Sequence, residues 1–290
     1  MSLQLLTLED ELSRVALAPE IGGSLVNWTL RANGRPLLRP SVEDRLDGVT
    51  PRQLACYPLA PWSNRIAEGG FDNPDGWLAL APNTPHDPYP IHGSAWQQPW
   101  RAIECLSRQA LLRLDSHEPF PYRAELRVQL IDGSLNLTLS VTHQGEHPAW
   151  YGLGLHPYFP RGAQTQLQAS AQQVWIGSAD RLPDHQEDVP PTWRFDQPRA
   201  LPDERIDHAF SGWDGRFRLL EPEAGYQLEG RASGCDHFLL YTPPQQDFFC
   251  IEPVTHPINA HHLPGRPGLK LLARGETMKM GLTLTYREVG

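Results

Sequence analysis

The sequence lacks the motifs on which most nucleotide, zinc-protease and hydrolase chemistry rests. It has no G-x-G-x-x-G turn, Walker loop, H-E-x-x-H helix or G-x-S-x-G elbow, so dinucleotide, nucleotide, zincin and α/β-hydrolase readings lose their support. Its four cysteines, Cys56, Cys105, Cys235 and Cys250, form no C-x-x-C pair. Neither a zinc knuckle nor a redox dithiol is indicated, and buried free thiols are expected. His256, His261 and His262 follow no common ligand spacing and have no Cys or Asp among them, so no metal is expected. No basic cluster offsets the formal charge of -9, which argues against a nucleic-acid partner because such binding depends on Lys and Arg neutralising phosphates. No apolar run approaches the length of a membrane span, and Glu9, Asp10 and Glu11 stand where a secretory leader needs an apolar core. A cytoplasmic protein with no membrane partner is expected.

Repeats, heptads and low-complexity tracts are also missing, as is the βαβ alternation of a parallel sheet. What remains is a turn-dense chain of 290 residues, 40% hydrophobic and 20% charged, with 29 Pro and 24 Gly. Its length alone fits one domain or two. Val26, Trp28 and Leu30 alternate with polar residues before Asn33-Gly34, a strong hairpin signal. Leu126, Val128 and Leu130, then Asp132-Gly133, then Leu135, Leu137, Leu139 and Val141 give the clearest hairpin. Met278, Met280, Leu282, Leu284 and Tyr286 alternate in a last strand as core filling. Cys56 to Gly93 is Pro- and Trp-rich and reads as loop; Arg181 to His208 reads as a long surface excursion. The pattern predicts an all-β fold of packed antiparallel sheets.

Four stretches place titratable residues in apolar or proline-fixed surroundings. Glu252 follows the run Phe248-Phe249-Cys250-Ile251 and precedes Pro253 and Pro257, so the strand should end near it. Burial would raise its pKa and suit it to general-base chemistry, although a structural ion pair or turn cap fits the stretch equally well. Arg65, in Trp62-Ser63-Asn64-Arg65-Ile66, offers a planar fork of donors for hydroxyls or a carboxylate, or a structural ion pair. His92 precedes Gly93 and alone would mark a turn; His156 lies between the aromatic and apolar runs of Tyr151 to Phe159. Their joint occurrence is what carries weight. A Glu, two His and an Arg framed by aromatics are the parts of a neutral-sugar site with an acid and a base.

Taken in order, Asn64-Arg65-Ile66, His92-Gly93, Gly154-Leu155-His156-Pro157-Tyr158-Phe159, Asp207-His208-Ala209-Phe210 and Glu252-Pro253-Val254-Thr255 with Asn259-Ala260 make the chain resemble aldose 1-epimerases, also called galactose mutarotases. The resemblance runs almost end to end. It implies one β-supersandwich domain over residues 1–290 whose groove binds a free aldohexose and interconverts its α and β anomers. It implies Glu252 as the base at the anomeric hydroxyl and His156 as the acid at the ring oxygen. Arg65, His92, Asp207 and Asn64 would bind sugar hydroxyls, with His92 also polarising the ring oxygen. No cofactor is implied, and a monomer or homodimer is expected.

Ionised Glu252 and protonated His156 would coexist somewhat below neutrality if they face one another across the sugar. That predicts a bell-shaped pH dependence with Glu252 on the acid limb and His156 on the alkaline limb. The Pro-rich stretches around His86 and His185 are expected to shape the groove. No Lys or Arg cluster adjoins the five motifs, although folding could bring in Arg161, Arg266 or Lys270 for a phosphorylated hexose. A hexose-6-phosphate mutarotase, a sugar-binding protein without catalysis, and a glycosidase using Asp207 and Glu252 remain as alternatives.

Overall fold

A computed structural model describes residues 5–43 and 45–289. Period-two apolar patterning becomes two large antiparallel sheets, of ten and nine strands, and the helical elements among the described residues are short 3-10 turns. The fold is the all-β supersandwich expected. Across the ten-stranded sheet the order is Leu6–Glu9, Ser13–Ala18, Ser24–Leu30, Cys56–Leu59, Gly154–Pro160, Phe248–Val254, His237–Thr242, Ile206–Ser211, Gln173–Gly177 and Pro183–Asp188. The inner faces of the two sheets share a core that includes Trp28, Phe159, Phe249 and Ile251 from one and Leu126, Leu137, Leu228 and Leu284 from the other.

The hairpin read from Asp132-Gly133 joins Tyr122–Ile131 to Ser134–His143, with Ser134 opposite Ile131. Both turn residues have positive φ, 48° and 74°, as a two-residue type I′ turn demands. The closing strand runs over Thr277–Glu288 and buries Met278, Met280, Leu282 and Leu284, as its alternation predicts.

Four readings are corrected. Cys56–Leu59, placed within a loop, is a fully buried central strand of the ten-stranded sheet. It is too short and too buried to show alternation. The excursion after Arg181 contributes one edge strand to each sheet, Pro183–Asp188 and Phe195–Ala200. Their charges and prolines suit solvent-facing edges and hide them from an apolar pattern. Glu252 lies within the strand Phe248–Val254, not at its end. Of the cysteines expected to be buried, Cys56 and Cys250 are, whereas Cys105 is exposed and Cys235 half-buried.

Candidate active site

The site occupies the outer face of the ten-stranded sheet at its centre. Gly154 stands opposite Val254 and Tyr158 opposite Cys250, a register that sets His156 opposite Glu252. On the far side of His156 is Tyr57, its partner on Cys56–Leu59, and beyond Glu252 is Leu239. Because side chains alternate, Leu155, Phe159, Phe249 and Ile251 enter the core while His156, Tyr158, Cys250 and Glu252 face outward. Loops then cover that outer face, so Gly154–Pro160 and Phe248–Val254 are buried almost throughout.

His156 Nε2 lies 3.2 Å from Glu252 Oε1, with both side chains buried. Burial drives the Glu252 pKa well above 4.5, reinforced by Asp207 and opposed by Arg65. It drives His156 well below 6.5, reinforced by Arg39 and Arg52. Both effects act against separated charges, so the pair holds one proton between its two groups. The remaining polar atoms, His156 Nδ1 and Glu252 Oε2, are buried without a hydrogen-bond partner among the described residues. The sequence-based picture placed the two across a sugar, each charged; in the folded chain they touch. Tyr57 and Tyr158 both stack on the His156 ring at 4.6 Å. Cys250 completes a cluster of potential metal ligands with His156 and Glu252, all within 4.8 Å, but full burial pushes its thiol well above 9 and away from the thiolate a metal needs.

A second set of residues comes from loops locked to this strand pair. The Asn64 backbone N–H donates to His92 Nδ1 at 3.0 Å, which leaves the His92 ring proton on Nε2. Burial and the neighbouring His156 hold that ring well below its ordinary pKa, hence neutral. Arg65 is buried, its Nε 2.8 Å from Asp87 Oδ2, and Asn64 Oδ1 accepts from its Nη1 at 3.1 Å. Asn64 therefore orients the arginine as well as lining the pocket. Asn259 ties the Arg65 loop to the chain following Glu252, donating its N–H to the Arg65 carbonyl and accepting from Ala67. Thr255 similarly pins that chain to Leu153. The separate short motifs thus form one hydrogen-bonded frame.

The pocket of about 280 Å3 brings together every predicted site residue: Glu252, His156, Arg65, His92, Asn64 and Asp207. Asp207 is already engaged by Arg205 Nη2 at 2.8 Å. His86 lines the pocket as expected, whereas His185 lies on an exposed edge strand outside it. Folding does gather arginines, but not the basic residues named from the sequence: Arg39, Arg52, Arg65, Arg181 and Arg205 all line the pocket. They come from separate loops and strand ends, so no local run reveals them. Arg161, Arg266 and Lys270 do not line it; Arg161 faces Asp203 and Arg266 stacks on Trp150. His256 is structural, with Nε2 accepting from the Ser63 N–H and Nδ1 donating to the Pro257 carbonyl. Asp87, the partner of Arg65, was missed because it lies 22 residues away in a proline-rich loop.

With fold and site in view, comparison identifies the class. The family model for aldose 1-epimerase matches residues 4–285, and the chain belongs to that family. Among curated proteins it is 32% identical to the uncharacterized YphB of Escherichia coli K12 over 260 residues, 86% of this chain and 88% of YphB. A crystal structure of a provisionally named aldose 1-epimerase from Escherichia coli K12 superposes with a TM-score of 0.93 at 28% identity, over 99% of this chain and 100% of that one. The galactose 1-epimerase of Lactobacillus acidophilus shares the fold, with a TM-score of 0.80 at 18% identity over 98% and 94% of the two chains. No helix among the described residues is long and apolar enough to cross a membrane.

Proposed function

We propose that the protein interconverts the α and β anomers of an aldohexose, with residues 1–290 acting as one catalytic unit. Glu252 removes the proton from the anomeric hydroxyl while His156 delivers one to the ring oxygen. The C1–O5 bond breaks, leaving an open-chain aldehyde, a protonated Glu252 and a neutral His156. Rotation about C1–C2 presents the other carbonyl face. Reclosure with the roles reversed forms the opposite anomer and returns both protons.

The observation that carries this reading is the His156–Glu252 contact of 3.2 Å on the floor of the pocket. A pair sharing one proton has the proton count the reaction needs. Moving that proton onto His156 as a hydroxyl reaches Glu252 creates the base and the acid together. The unpartnered Nδ1 and Oε2 atoms are buried polar groups whose cost a bound polyol can relieve. His92 supplies a neutral Nε2–H donor, suited to an oxygen that gains negative character. Arg65 supports the ionised form of Glu252 and offers donors to hydroxyls.

Polarimetry of freshly dissolved α-glucose, α-galactose and their 6-phosphates tests the reading. Catalytic amounts of the protein should hasten the approach to rotational equilibrium for at least one of them. A rate equal to the spontaneous one for all four removes it.

A further inference from the structure

Five arginines line the pocket against three carboxylates, Asp87, Asp207 and Glu252. Arg65 and Arg205 are neutralised by Asp87 and Asp207, each at 2.8 Å, and Glu252 shares its proton with His156. Among the described residues, Arg39, Arg52 and Arg181 have no carboxylate partner. Such a positive excess inside a chain of formal charge -9 creates a local field that a neutral sugar would leave unused.

Arg39 and Arg52 are held in place. The Arg39 guanidinium lies over the Tyr158 ring at 3.6 Å and the Phe248 ring at 4.8 Å. Its Nη2 donates to the carbonyls of Arg52 at 2.5 Å and Leu54 at 2.7 Å. Arg52 lies over Trp96 at 5.2 Å, and Trp96 stacks on Tyr57 at 5.7 Å. Tyr57 and Tyr158 are the two rings stacked on His156. The strand order places Tyr57 on the side of His156 away from Glu252. In a pyranose the ring oxygen joins C1, which bears the anomeric hydroxyl, to C5, which bears C6. A sugar with its anomeric hydroxyl at Glu252 and its ring oxygen at His156 therefore directs C6 past His156, toward the two arginines.

We infer that the sugar is an aldohexose carrying an anionic group at C6, a carboxylate or a phosphate, received by Arg52 and Arg39. This rests on the mutarotase reading and adds the substrate class to it. Arg52, whose guanidinium makes no hydrogen bond to another described residue, can present parallel N–H donors matched to either oxyanion, while Arg39, its Nη2 committed to two carbonyls, adds its charge and its Nη1 donors. Such charge-assisted bonds are about twice as strong as those to a hydroxyl.

The test is exchange NMR of anomer interconversion in glucose, glucuronate and glucose 6-phosphate, with native protein, Arg52→Gln and Arg39→Gln. Arg52 is half-buried on a 3-10 turn, so its variant is the less disruptive; thermal melts establish that each variant is folded. At least one anion should show a kcat/KM about tenfold or more above glucose. Arg52→Gln should cut that ratio about tenfold, chiefly through KM, as loss of one charge-assisted contact predicts. Preference for glucuronate assigns a carboxylate, and preference for glucose 6-phosphate a phosphate. Glucose exchanged as efficiently as both anions overturns the inference and leaves the mutarotase reading standing, as does a preference that survives in both folded variants. No exchange of any of the three sugars overturns the inference, and the four-sugar polarimetry then decides the mutarotase reading separately.

Discussion

His156 and Glu252 stand opposite one another on neighbouring antiparallel strands, their side chains 3.2 Å apart and buried. Burial raises the glutamate and lowers the histidine, so neither group readily carries a charge without the other. In the proposed reaction the competent form of the free protein is the one in which the pair carries one proton.

That reverses the limbs of the pH profile expected from ordinary pKa values. Adding a second proton charges His156 beside a protonated Glu252, a step displaced below the usual histidine value of 6.5. Losing the shared proton leaves a buried Glu252 carboxylate, a step displaced above the usual 4.5. The acid limb of kcat/KM therefore follows uptake of the second proton and the alkaline limb loss of the first, as macroscopic properties of the pair. Initial mutarotation rates across pH check this. An acid limb already falling at about 6.5, the unperturbed histidine value, would contradict it.

Removing the partner of the buried Arg65 should be costly. Asp87→Ala leaves a guanidinium desolvated without its carboxylate, a change that typically destabilises by about 3–5 kcal/mol. Urea unfolding should show a lower midpoint with an unchanged slope. Replacing both residues with apolar side chains of similar volume should recover much of the loss.

His92 should remain neutral with its proton on Nε2, because Nδ1 accepts the Asn64 N–H at 3.0 Å. Nitrogen NMR of the imidazole can read that tautomer directly. His92→Phe removes the donor and strands the Asn64 N–H, and kcat/KM should fall by about tenfold to a hundredfold, the size of one hydrogen bond to a group gaining charge.

Packing around the frame gives a prediction independent of catalysis. A Cβ at Gly152 would lie 2.0 Å from His256 Cδ2, and that ring is fixed at both nitrogens by Ser63 and Pro257. Gly152→Ala should destabilise by about 1–3 kcal/mol, as overpacked interiors do, and lower the thermal midpoint. A melt matching the native protein would show that the ring can move.

Much of the fold was legible because alternation and turn chemistry are local. Asp132-Gly133 announced its hairpin, and Met278 to Leu284 announced the last core strand. The six candidate residues that line the pocket were legible because each sits in a short motif, although the roles proposed for them came from the family resemblance and not from spacing. Cys56–Leu59 was missed because a strand buried on both faces shows no period, and the edge strands because charge and proline mask theirs. The arginines were invisible for another reason. Arg39, Arg52, Arg181 and Arg205 are scattered in the chain and meet only through the sheet order. The contact between His156 and Glu252 likewise depends on register, which no single strand specifies.

The direct test of the acid–base pair is exchange NMR on the best-turned-over aldose, comparing native protein with Glu252→Gln and measuring sugar binding by calorimetry alongside. Glutamine keeps the shape and can still hydrogen-bond a hydroxyl, but cannot accept its proton. Anomer exchange should fall by about 10²–10⁴-fold, the usual contribution of a positioned acid or base, with binding weakened far less. A Glu252→Gln protein that binds the sugar and exchanges its anomers at the native rate would contradict the assignment of Glu252 as the base.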